Sequence, residues 1–370
     1  MTTIAHARRA AREAGWRAVA AGPAVAVVTV VLALIATREV GLPLRDPDHV
    51  AATYLVLVGF GVLLLVVLDI AIRAARRSGG FPPGAEAMRS VRRERWTLRR
   101  SLAAGSALLG FYVTYLAYRN LKSVVPLLRP GDVFDRQLAG LDRSLFGGHD
   151  PAALLHQLMG TGVATHVLST AYVAFIVFLP LTIGIALVFA RDLRTGLFYT
   201  TAQSINWLLG AASYLVLPAL GPIYTHPAAF ARLPHSETTR LQGVLLDQRI
   251  DFLRDPAAAT PQAIAAFASL HISMSFTAAV AAHLLGAGRR LRIALWVWFA
   301  VTMAGTIYLG WHYVVDNIAG VALGVIALAV AGVLTGVDLP GLRRRRRVAG
   351  AVVPAGGRSL PRAEPVAEER

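Results

Sequence analysis

The sequence predicts an all-α fold, a polytopic membrane helix bundle of about eight transmembrane helices. Three observations carry that expectation. Of the 370 residues, 55% are hydrophobic and 16% are charged, where soluble domains carry about 25% charged residues. The apolar residues fall in runs long enough to cross a bilayer, which takes roughly 20 of them. Between the runs lie short clusters of arginine, in a chain whose formal net charge is +16. That alternation is the pattern of the positive-inside rule and not of a nucleic-acid-binding surface. The Arg- and Ala-rich composition is that of a GC-rich bacterial genome. Cysteine is absent, which excludes disulfides and thiolate metal sites.

Eight segments qualify as spans: Val19–Ala36, Val50–Ile72, Leu102–Tyr118, His166–Ala190, Leu197–Leu217, Ser269–Leu285, Ile293–Gly310 and Val314–Val337. The first follows arginines, as a signal peptide would, but it is long enough to span and no small-residue cleavage site follows. It reads as a retained helix. Arginines gather before the first span (Arg8, Arg9, Arg12, Arg17), between the second and third (Arg73 to Arg100), between the fourth and fifth (Arg191, Arg194), between the sixth and seventh (Arg289, Arg290, Arg292) and after the last (Arg343–Arg347). With eight helices, all five clusters share one side. That side is expected to be cytoplasmic and to hold both termini.

The opposite side receives two long loops, about 119–164 and 218–268, and the short turn around His312. Loops of that length point to function or to local helices. In "DVFDRQLAGLDRSLF", Val133, Phe134, Leu138, Leu141 and Leu145 have the spacing of a helix lying on the membrane surface or packed on the bundle. The chain divides into two N-terminal helices with a basic loop (1–100), a helical core (101–337) and a basic tail (338–370). The tail is rich in Pro, Gly, Arg and Glu and is expected to be disordered. Its arginine run would anchor topology and bind anionic lipid.

Ionisable residues inside a membrane are candidates for function. In "YLGWHYVVDNIAG" (Tyr308–Gly320), His312 and Asp316 stand four apart, on one helix face. A carboxylate that takes one imidazole N–H fixes the tautomer and frees the other nitrogen as a nucleophile or base. A buried histidine satisfied by a neighbouring aspartate is the bland alternative. Topology weighs against it, because it places a second histidine, His271 in "FASLHISMSF" (Phe267–Phe276), at the same boundary. The residues before His271 can open a helix whose N-terminus would hold an anion. A phosphate between two histidines, one attacking and one protonating the leaving oxygen, is coherent chemistry. A proton-coupled transporter that uses the same residues as a relay is the main rival, and a lipid-binding scaffold is a weaker one. No HExxH-type metal set occurs.

These stretches resemble the signatures of the type-2 phosphatidic acid phosphatase superfamily. "FASLHISMSF" is similar to its second signature and "YLGWHYVVDNIAG" to its third. The Ser-Leu-His triplet, "HYxxD" and the proline-rich "YLVLPALGP" (Tyr214–Pro222) look like the branch that contains inositol phosphorylceramide synthase. The resemblance covers roughly 100–337 and implies a six-helix core. It implies that His312 attacks phosphorus, that Asp316 orients it, and that His271 protonates the leaving group and then activates the acceptor. Ser269 and nearby amides would hold phosphate oxygens. "KSVVPLLRP" looks like the first signature and offers Lys122, the chain's sole lysine, and Arg129 as phosphate ligands. It follows the third span, however, where the superfamily's copy ends the core's third helix, the fifth span here. Arg240 competes for that role, as do Arg232, Arg249 and Arg254. Asp135 and Asp142, in a stretch similar to one before the core in that branch, would bind a polar acceptor such as a polyol. Where the third signature has Ser-Arg, this chain has Gly305 and Thr306, and Ala268 replaces the proline of the second. The resemblance implies a metal-independent phosphatase or phosphotransferase without cofactor. Its substrate would be a phospholipid or polyprenyl phosphate, met at the extracytoplasmic face.

Overall fold

The computed structural model describes residues 2–261 and 264–337, with side chains from residue 15 onward. The expected disorder of the tail and the role of Arg343–Arg347 fall outside the described residues. The described chain is helical. Its helices are α1 (Thr2–Glu39), α2 (Val50–Ser78), α3 (Ala85–Arg95), α4 (Leu98–Leu128), α5 (Asp135–Leu145), α6 (Pro151–Met159), α7 (Val163–Phe189), α8 (Leu193–Val216), α9 (Pro222–Thr225), α10 (Glu237–Arg254), α11 (Leu270–Leu284), α12 (Arg289–Tyr308) and α13 (Val314–Thr335). A 3-10 turn, Pro227–Phe230, follows α9.

Every expected span coincides with a helix. Six of them (α1, α2, α4, α7, α12 and α13) are long and apolar enough to cross a membrane. The other two depart from the expectation for physical reasons. Helix α8 lies in the centre of the bundle, against α1, α4, α7, α11 and α13. Protein and not lipid surrounds it, so it can carry polar residues that its neighbours satisfy. Gln203 donates to the Met274 carbonyl (3.2 Å) and Asn206 to Thr277 Oγ1 (2.9 Å). Helix α11 has 15 residues, a rise of about 22 Å, less than the roughly 30 Å of a hydrocarbon core. Its N-terminus, which bears His271, therefore begins inside the bundle.

Local signals explain where several helices begin. Thr97, Asp192 and Ser236 cap α4, α8 and α10 by accepting main-chain amides of the first turn. Asp150 caps α6, which has Pro151 in its first turn. At the arginine-rich end, buried Asp69 of α2 takes Arg73 (2.7 Å) and Arg95 (2.6 Å), and Arg95 also caps the Val188 and Ala190 carbonyls at the end of α7.

Two long connections fold as local helices. Helix α5 packs on the bundle through Leu138, which clusters with Ala219, Ala266 and Tyr313, while Leu141 and Leu145 face outward. Helix α4 runs ten residues past the expected end at Tyr118. The polar run Arg119-Asn120 is buried there because the α1–α2 loop supplies its partners. Arg119 pairs with Asp46 (2.8 Å) and Asp48 (2.7 Å), and Asn120 exchanges hydrogen bonds with the Arg45 main chain. Lys122 thus lies within a helix and not after it.

Candidate active site

The turn between α12 and α13 builds the first half of the site. Trp311 N–H and His312 N–H both donate to the Thr306 carbonyl (3.0 and 3.1 Å), folding the chain back over the end of α12. The Thr306 hydroxyl accepts from Asn317 Nδ2 at 3.0 Å, and Thr306 is fully buried. This packing explains why no arginine stands at that position: its place is inside a hydrogen-bonded Thr–Asn pair.

Asp316, in the first turn of α13, accepts the Tyr313 amide through Oδ2 (2.9 Å). The same oxygen lies 3.4 Å from His312 Nδ1, and Asp316 Oδ1 has no partner among the described residues. Both side chains are buried. Burial pushes the His312 imidazole down to about 3, against the Ala266 carbonyl, which favours the protonated ring. At neutral pH the ring is uncharged and keeps a lone pair.

The second half comes from α11. Ser269 N–H donates to the Asp316 carbonyl at 3.1 Å. This close approach depends on Gly320, where an added Cβ would meet the Ser269 carbonyl oxygen at 2.5 Å. One turn of α11 then carries His271 to within 6.1 Å of His312, centroid to centroid. His271 stacks on Tyr172 (4.4 Å, 25°) and leans on Phe175, and Tyr172 in turn stacks on Trp311 (4.9 Å, 4°). These aromatic contacts fix the histidine's plane.

Both histidines open onto a cavity of about 250 Å³ between α4, α7, α8 and α10. Its walls are largely aromatic, with Tyr118, Tyr172, Trp207, Tyr214 and Trp311 among them. Two cations also line it, Arg119 and Lys122. The Asp46 and Asp48 carboxylates neutralise Arg119. Lys122 has no carboxylate partner among the described residues, and its ammonium lies 5.9 Å from the Tyr214 ring centre. Among the described residues that line the cavity, it is the cation without an ion pair beside the two histidines.

The remaining sequence candidates are not among the residues that line this cavity. Ser269 is fully buried, and its hydroxyl has no partner among the described residues. Arg129 pairs with Asp132 and opens onto a different cavity. Arg240 is on the exposed side of α10, 3.6 Å from Glu237. Asp135 and Asp142 were expected to bind a polar acceptor, but protein donors occupy both. Asp135 accepts the Leu220 and Gly221 amides (2.9 and 2.8 Å) and the Tyr313 hydroxyl (3.1 Å). Asp142 accepts the Val314 and Val315 amides at the start of α13 (2.7 and 3.0 Å). Both are buried. They tie α5 to the two segments that shape the histidine turn. The Leu220–Gly221 segment depends on Gly221, whose φ is +100° and where an added Cβ would lie 2.5 Å from the Trp311 carbonyl oxygen.

Residues 136–330, more than half the chain, match the PAP2 superfamily. The chain belongs to the PAP2 superfamily. Membership brings phosphatase or phosphotransferase chemistry and lipid-type substrates. Both histidines and Asp316 lie inside the matched region, whereas α1 to α4, with Lys122 and Arg119, lie outside it. No curated protein and no solved structure matches the chain. Sequence reasoning missed Asp46, Asp48 and Arg119, and also the aromatic clamp of Tyr172 and Trp311. The one available signal was the Asp-Pro-Asp step just before the second apolar run.

Proposed function

We propose that this PAP2 superfamily member is a membrane phosphatase or phosphotransferase that works through a phosphohistidine on His312. The observation that carries the reading is the pair of histidine rings 6.1 Å apart on one cavity, with Asp316 behind His312. Asp316 faces Nδ1, which leaves Nε2 to attack. A bond forms from Nε2 to phosphorus as the bond from phosphorus to the leaving oxygen breaks. His271 gives that oxygen its proton. In the second half-reaction His271 takes a proton from the acceptor hydroxyl. The acceptor oxygen bonds to phosphorus, and the bond to Nε2 breaks, restoring the enzyme. Asp316 stabilises the charge that develops on His312 in each step.

Lys122 and the first-turn amides of α11, which have no carbonyl partner within the helix, hold the non-bridging oxygens. The lysine takes over what an arginine at position 306 would do. The apolar cavity wall suits a lipid chain, so the donor is a lipid-linked phosphate. The acceptor is water or a polyol hydroxyl, and the likeness of "YLVLPALGP" and "HYVVD" to inositol phosphorylceramide synthases favours transfer. The histidines lie at the end of the bundle opposite the arginine clusters, which by the positive-inside rule makes the site extracytoplasmic. The test is turnover of a panel of lipid phosphates in mixed micelles. His312→Ala and His271→Ala should each lose about a thousandfold or more. Full turnover by both variants would overturn the mechanism.

A further inference from the structure

A second cavity, of about 310 Å³, adjoins the first. Leu220, Ile264 and Ala265 line both, so the two are separated by a thin common wall. Arg129, at the end of α4, and Arg249, from α10, both line the second cavity.

The two arginines are held differently. Arg129 is oriented by Asp132 at Nε (2.7 Å) and by the Leu215 carbonyl at Nη1 (2.7 Å). Its Nη2 makes no hydrogen bond to a described residue. Asp132 balances its charge. Arg249 is half-buried and makes neither an ion pair nor a hydrogen bond with any described residue. Burial pulls its guanidinium down, and Asp135 is the one carboxylate that works the other way. The Asp135 oxygens are already occupied by Leu220, Gly221 and Tyr313. The cavity therefore carries one partly desolvated guanidinium with no hydrogen bond or ion pair among the described residues, a fork suited to phosphate.

We infer that the Arg129–Arg249 cavity is a second anion subsite that receives a phosphate on a polyol, apart from the phosphate that reacts. The inference rests on the histidine chemistry proposed above. Arg129 caps the C-terminus of α4 seven residues after Lys122, roughly 10 Å along the axis. Two adjoining phosphates of a diphosphate are too close together to reach both. A phosphate separated from the reacting phosphorus by a short polyol reaches both. That phosphate arrives either on the donor's head group or on a free acceptor, and the chemistry is the same.

The test uses the full chain in mixed micelles and has two arms. In the first, binding of radiolabelled glycerol 3-phosphate is measured for wild type, Arg249→Gln, Arg249→Lys and His312→Ala. Arg249→Gln should weaken binding roughly tenfold or more, Arg249→Lys should recover part of it, and His312→Ala should bind as wild type does. Arg249 has no ion-pair or hydrogen-bond partner among the described residues, so the variant should elute from size exclusion as wild type does. In the second arm, turnover of phosphatidate is compared with that of phosphatidylglycerol phosphate. A donor-borne phosphate predicts a raised KM for phosphatidylglycerol phosphate alone in Arg249→Gln, with phosphatidate within about twofold. An acceptor-borne phosphate predicts that glycerol 3-phosphate stimulates phosphatidate turnover in wild type and not in the variant. Undiminished glycerol 3-phosphate binding by Arg249→Gln would overturn the subsite. So would equal damage to both lipids. Turnover that survives His312→Ala would sink the histidine mechanism and leave the binding result standing.

Discussion

Asp135 and Asp142 on one side, and His312 with Asp316 on the other, are neighbouring buried polar groups with opposite bonding states. Each carboxylate of α5 has its oxygens filled by amides or a hydroxyl, so it serves as frame. In the His312 cluster, capacity is left over: His312 Nδ1, Asp316 Oδ1 and the Ser269 hydroxyl all lack hydrogen-bond partners among the described residues. Buried polar groups are ordinarily paired, and the unpaired minority invite an explanation. Here these groups gather beside a cavity that also holds a lysine with no carboxylate partner among the described residues. The same contrast recurs on α4, where Arg119 is neutralised and Lys122, three residues on, is not.

Substitutions can break this comparison. The largest effect should come from Asp316→Asn, which leaves the packing intact but lets an amide face His312. It should cut turnover by about a thousandfold or more, by analogy with carboxylates that fix a catalytic tautomer, while the unfolding midpoint stays close to wild type. Asp142→Ala should act on the frame instead. With the Val314 and Val315 amides left unsatisfied, stability should fall by about 2–4 kcal/mol, seen as a lower denaturant midpoint in micelles, and activity should fall with it. Equal stability losses in Asp142→Ala and Asp316→Asn would erase the distinction between frame and site.

The pair on α4 sharpens the contrast at a smaller scale. Lys122→Gln should lower kcat/KM by about ten- to a hundredfold and leave stability unchanged or raised, because it removes a half-buried charge that has no carboxylate partner among the described residues. Arg119→Gln should instead destabilise, by about 3 kcal/mol, since it leaves Asp46 and Asp48 without their cation. The smallest effect belongs to the exposed Arg77–Glu94 pair at the other end. Arg77 holds the Glu94 carboxyl down at about 2, yet a solvated pair contributes little, and Glu94→Gln should move neither activity nor the unfolding midpoint measurably.

The spans were legible in the sequence because lipid demands apolar surface from any helix it touches. Helix α8 shows the limit of that rule, since a helix wrapped by others can carry Gln203 and Asn206 in its core. The histidines and Asp316 were legible as well, because their spacing is local and the turn that joins them is short. What could not be read was pairing across long separations. Nothing near Arg119 announces that Asp46 and Asp48 will bury it, so hydropathy alone ends the helix at Tyr118. Asp135 and Asp142 have a helical spacing that places them on one face, which was readable. The amides that face them come from 85 and 172 residues away and were not. At Thr306 the sequence shows only that the superfamily's arginine is missing, and only the fold reveals the Asn317 contact that fills its place.

The central claim is that His312 carries the phosphoryl group. Rapid quenching of the wild-type chain with phosphatidate labelled in its phosphate should leave acid-labile, base-stable label on the protein, mapped to the peptide that contains His312. His271→Ala should both accept that label and release it more slowly, still at the His312 peptide, and His312→Ala should accept none. Label retained by His312→Ala, or label on wild type that maps to His271, would contradict the account.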